Sequence, residues 1–160
     1  MATLKNNDFH PTSKVWVFQS DCAILENDRL HSELKNFTRN WKTHGKDVES
    51  VFEIIEDRFL VVMVNESHNQ VSGCSIDDLM DCVANIEAKL SISLRDRAGF
   101  YVLSENIPIY VLLDEYSKLA HEGVINIDLS FYDATIFNKA DFNSRWIAPL
   151  KSSWVELRYG

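Results

Sequence analysis

The sequence predicts an α+β protein: a ferredoxin-like βαββαβ antiparallel sheet covered by two helices, with an extra strand and a C-terminal α/β appendage. Three observations predict it. Lys14 to Gln19 alternates and carries Val15, Trp16, Val17 and Phe18, the β-branched and aromatic mixture of a strand. Two segments repeat apolar residues at helical spacing: Leu30, Leu34, Phe37 and Trp41, then Ile76, Leu79, Met80, Val83, Ile86 and Leu90. Strand-like runs stand between and after them, Glu49 to Glu56, Arg58 to Asn65, Gly99 to Leu103 and Pro108 to Leu112.

Each element has its own local reason. Residues 1–13 are polar, lack periodicity and contain Pro11, so they read as a loosely held arm before one domain over residues 14–160. The first helix runs from about Leu25 to Thr43, with Gly45 at the C′ position. A tight turn at Glu56 and Asp57 joins the next two strands into a hairpin, and Phe59 to Val64, apolar throughout, reads as the central strand. The second helix runs from Gly73 to about Ser91, and Ser104-Glu105-Asn106 suits a turn between the last two strands. Beyond them, Asp114 caps a short helix ending at Gly123, Thr135 to Phe137 reads as a short strand, and Asn138 with Asp141 opens a helix that Pro149 ends. These last forty residues read as an appendage to one core.

Composition narrows the function classes. The 160 residues are 46% hydrophobic and 25% charged, the profile of a globular chain that buries about two thirds of its unfolded surface. The net charge is -8, and the acidity is C-terminal: residues 1–50 carry seven basic and seven acidic groups, leaving nine against seventeen in the remainder. No Lys/Arg cluster provides the footprint of a phosphate-backbone binder, so nucleic acid is not an expected partner. The three cysteines, Cys22, Cys74 and Cys82, show no CxxC, which argues for reduced thiols. The N-terminal residues lack an apolar signal core, and the run Phe59 to Val64 is far short of a membrane span, so the expected location is the cytoplasm, away from membranes.

One motif carries possible chemistry. In Gly73-Cys74-Ser75-Ile76-Asp77-Asp78, Ser75 is placed to accept from an amide of the first helical turn, with Asp78 as its reciprocal carboxylate. Cys74 then stands just before the helix, where free amides and the positive dipole end favour a thiolate or an anion. Asp77, Asp78 and Asp81 oppose both, since their charge raises the cost of a neighbouring anion. A catalytic reading needs Cys74, His44 and Asp77 together; the plainer reading makes the motif a helix start and His44 a favourable charge near a helix end. His68 reads as a solvated loop residue. Binding candidates are Gly73, Ser75, Arg58, Trp41 and Trp154. Arg58, Arg95 and Arg97, each beside an aspartate, read first as ion pairs, while Trp41 lies on a core stripe and Trp154 sits in a late segment that either packs or lies open. No HExxH, EF-hand, GxGxxG, GxSxG or GxxxxGK[ST] spacing occurs, so neither metal nor cofactor is expected.

Ser13-Lys14-Val15-Trp16-Val17-Phe18-Gln19-Ser20, Trp41-Lys42-Thr43-His44-Gly45, Arg58-Phe59-Leu60-Val61-Val62-Met63-Val64, Gly73-Cys74-Ser75-Ile76-Asp77 and Trp146-Ile147-Ala148-Pro149-Leu150-Lys151-Ser152-Ser153-Trp154 together form a recognisable set. The chain resembles a family of short, uncharacterised bacterial proteins, some of them labelled ABC-transporter ATPases. The ATPase label is poorly matched, because no Walker or signature motif is present. Where that family's tail often reads Ser-Trp-His, this chain has Ser153-Trp154-Val155. The expected function is a non-catalytic binding or regulatory domain that self-associates or takes a protein partner through its sheet face or an edge. The alternative is a thiol-dependent enzyme or small-molecule binder using Cys74.

Overall fold

The computed structural model describes residues 4, 7–24 and 28–160. In chain order the first half holds β1 (Lys14–Gln19), α1 (Asp28–Asn40), the two-residue strands β2 (Lys42–Thr43) and β3 (Lys46–Asp47), β4 (Glu49–Ile55), β5 (Phe59–Asn65) and α2 (Gly73–Leu90). The second half holds β6 (Gly99–Ser104), β7 (Ile107–Leu112), α3 (Leu113–His121), β8 (Ser130–Tyr132), α4 (Lys139–Arg145), β9 (Ile147–Pro149), a turn of 3-10 helix at Leu150–Ser152 and α5 (Trp154–Tyr159).

The architecture is α+β with antiparallel sheets. The first sheet has the order β1-β5-β4, which makes β5 central. Alternation along β5 sends Leu60, Val62 and Val64 toward α1 and α2, and Phe59, Val61 and Met63 into a second cluster with Tyr101 and Tyr132. All six are at most 1% exposed, which is why this strand reads as one unbroken apolar run.

The order β1-β5-β4 matches the first half of the expected sheet. A ferredoxin-like arrangement would then return the strand after α2 to the free edge of β1. Here β6 pairs with β7 and β8 instead, in a second sheet of order β7-β6-β8-β9. The edge of β1 is met only locally: Asp96 N donates to Gln19 O at 3.2 Å and Val15 N to Phe137 O at 2.9 Å. The physical reason lies in the second sheet's own two-sided pattern. Tyr101 and Tyr132 face the first sheet, while Phe100, Val102 and Phe131 face α3 and α5. The result is four layers, helices, sheet, sheet and helices, with three apolar interfaces.

Several local expectations are corrected. The last forty residues are no appendage, because they supply β8, β9 and α5 to the second sheet and its cover. The first helix stops at Asn40, with Leu25 outside the described residues; Gly45 (φ 78) is then a hairpin residue between β2 and β3 beside His44 (φ 49), the paired positive φ of a two-residue turn. The strand expected at Thr135 to Phe137 falls at Ser130–Tyr132, since Asp133 Oδ1 accepts from Thr135 N at 3.0 Å and folds that stretch into a turn. Asn138 caps α4 as expected, through Asp141 N at 2.8 Å, although α4 ends at Arg145 and Pro149 lies in β9; Asp114, expected as a cap, lies inside α3, whose N-cap Leu112 makes no side-chain capping bond. In the segment read as a loose arm, Leu4 and Phe9 are buried and Lys139 Nζ donates to the carbonyls of Asn7 and Phe9 at 2.8 and 2.7 Å.

Candidate functional site

The start of α2 is built by serines. Ser72 is the N-cap, its Oγ accepting from Ser75 N at 3.2 Å, so the cap lies three residues before the expected Ser75. Ser75 is the third helical residue. Its hydroxyl donates to Lys42 O at 2.9 Å, and its carbonyl accepts from the buried indole Nε1 of Trp41 at 2.8 Å. Thr43 Oγ1 donates to Gln70 O and accepts from Ser72 N, each at 3.1 Å. The Trp41-to-Gly45 segment and the Gly73-Cys74-Ser75 turn therefore meet, and backbone groups occupy the polar atoms of Trp41, Thr43 and Ser75. Sequence reasoning missed Ser72, although a serine three residues before Ser75 and just before Gly73 is itself a capping signal.

The three candidate catalytic groups stand apart in chemistry. Cys74 is exposed on the first turn of α2, Asp77 is exposed one turn later, and His44 is exposed at the tip of the β2–β3 hairpin. Among the described residues none of the three side chains makes a hydrogen bond, and none of the four cavities described holds all three. His44 lies with Lys46, His68 and Ser72 along an open depression of about 440 Å³. Trp41, Asp78 and Cys82 line a groove of about 550 Å³ between α1 and α2. Burial, with the charge of Glu33 adding to it, pushes the Cys82 thiol up to about 11. Arg58 lies at the opposite end of β5, about 20 Å along the strand, and donates through Nη1 to Asp57 O at 3.1 Å. Among the described residues no group of histidine, cysteine and carboxylate side chains is arranged to hold a metal ion. No helix among them is long and apolar enough to cross a membrane.

Trp154 marks a different place. It is partly buried at the start of α5, capped by Ser153, whose Oγ accepts from Glu156 N at 3.2 Å. Beside it opens a cleft of about 730 Å³, walled by Phe131, Pro149, Trp154 and Leu157 and edged by Arg145 and Arg158. Apart from Trp154, sequence reasoning found none of these residues, because they come from four segments with no shared spacing.

A second surface is the outer edge of β7, the last strand of its sheet. Ile107 and Ile109 are 61% and 43% exposed there, and the turn before them, Glu105-Asn106, has positive φ at both residues. Pro108 fits this position because an edge strand tolerates a missing amide donor. No protein-family model matches the chain, and comparison with curated proteins and with solved structures finds no significant match.

Proposed function

We propose that this chain is a non-catalytic binding domain that acts by self-association, pairing the β7 edge with the same edge of a second copy. The observation that carries the reading is the unpaired edge itself, with Ile107 and Ile109 presented to solvent. The sheet face first considered for this role is covered by the second sheet, which leaves an edge. The two-residue turn makes Ser104 and Ile107 a hydrogen-bonded pair, so alternation turns the backbone groups of Pro108, Tyr110 and Leu112 outward. A two-fold axis through Tyr110 would then pair its amide and carbonyl with their counterparts and set each Leu112 amide against the opposite Pro108 carbonyl. The missing donor of Pro108 costs this arrangement only two of its possible bonds.

The thiol-enzyme alternative needs Cys74, His44 and Asp77 in one pocket, and they share neither a cavity nor a hydrogen bond. The same reading keeps the ferredoxin-like descent of the first half, supported by the order β1-β5-β4. It also keeps a cytoplasmic setting and membership in the short bacterial family, the latter on the sequence segments that carry the resemblance. Amide hydrogen exchange tests the interface. The Tyr110 and Leu112 amides should exchange about tenfold more slowly at high than at low protein concentration, as expected for amides newly protected in a ladder. Exchange at those two amides that is independent of concentration would reject the β7 interface.

A further inference from the structure

Independently of β7, we infer that the Trp154 cleft binds a small amphipathic anion, an aromatic or alkyl group bearing one acidic function. Its volume of about 730 Å³ lies within the range of small-molecule sites. Trp154 and Leu157 offer an apolar wall backed by the buried ring of Phe131, and Leu157, 85% exposed, gains most from being covered.

The charge around that wall points to an anion. Asp133, buried, spends one carboxylate oxygen on Thr135 and turns the other to Arg145 Nη1 at 3.4 Å. Arg145 also meets Asp141 at 3.3 Å, so its charge is already shared between two acids. Arg158 has no carboxylate within ion-pair distance among the described residues; its contact is the face of Tyr159 at 5.6 Å. The neighbouring Glu156 is engaged elsewhere, accepting from Tyr116 Oη at 2.5 Å. In a chain of net charge -8, this rim therefore presents an unpaired guanidinium over an apolar wall, the pairing that recognises a carboxylate or sulfonate carried on a hydrophobic body.

Amide NMR of the full chain, titrated with anilinonaphthalene sulfonate and separately with uncharged N-phenylnaphthylamine, tests this. The anion should shift the Trp154 indole and the amides of residues 152–158, and should bind about tenfold more tightly than its uncharged counterpart, the worth of one charge-assisted contact. Arg158→Gln should abolish that preference while leaving near-UV circular dichroism unchanged. Equal affinity for the two dyes, a preference that survives in Arg158→Gln, or shifts confined to Ile107 and Ile109 would each overturn the assignment. These outcomes leave the exchange behaviour of Tyr110 and Leu112 untouched, so the two proposals fail separately.

Discussion

Trp41 shows what a single side chain does in this fold. Its ring packs at a tilt against Phe37, centroids 5.0 Å apart, and edge-on to Trp16 at 6.3 Å, while its indole N–H holds Ser75 O and so fixes α2 against the hairpin. Trp41→Phe should keep much of the apolar contact, remove that bond, and destabilise the protein by about 1–3 kcal/mol, read as a lower midpoint in urea. The cysteines are equally specific. Iodoacetamide should label exposed Cys22 and Cys74 well before Cys82, whose thiol is half-buried and pushed up to about 11; peptide mass spectrometry reads the order. At this scale the sequence was legible where a residue's role is local, as with Asn138. It was illegible for Ser75, whose hydroxyl partner Lys42 lies thirty-three residues away.

Elements are held at their junctions by equally identifiable contacts. Glu87 on α2 accepts from the amides of Leu94 and Arg95 at 2.8 and 3.1 Å and pairs with Arg95 Nη2 at 2.5 Å, fastening the stretch that leads to β6. Burial works to raise its pKa, but the Arg95 and amide contacts outweigh it and hold the carboxyl below its usual value. A depressed carboxyl contributes stability that is present above the unfolded pKa of about 4.3 and lost as pH falls through the folded value. Glu87→Gln should therefore reduce the loss of stability between about pH 5 and pH 3, compared by urea titration at the two values. Packing decides Gly99. A Cβ there would stand 2.4 Å from Tyr110 Cζ and 2.6 Å from Val111 O, so Gly99→Ala should lower the melting temperature by several degrees, because β7 must move. Both long helices were readable because their apolar residues repeat over several turns. The β2–β3 hairpin was not, since two-residue strands are too short to show a period and Gly45 serves a helix end or a turn equally well.

For the whole molecule, the four-layer stack explains both what was readable and what was not. The apolar run of β5 announced a central strand but could not say that a second sheet, and not a partner, covers its other face. That depended on Tyr101 and Tyr132 pairing with Phe59 across more than forty residues of chain. Alkaline pH should expose the same layering. Burial raises Tyr101 to about 12 and moves Tyr110, Tyr116 and Tyr132 in the same direction. Groups raised in this way contribute stability that is complete below the unfolded tyrosine value of about 10 and lost as pH climbs through the folded ones. The protein should accordingly unfold cooperatively above about pH 10, seen as coincident changes in circular dichroism and tyrosinate absorbance. Association at β7 belongs to this scale as well, and the charge of -8 works against it by self-repulsion that salt screens. Sedimentation velocity of the wild type and Ile109→Lys, at about 50 and 500 mM salt, measures it directly. The expected result is a wild-type dimer that tightens with salt and a variant that stays monomeric. A wild type that remains monomeric at both salt concentrations, or a variant that dimerises as well as the wild type, would contradict it.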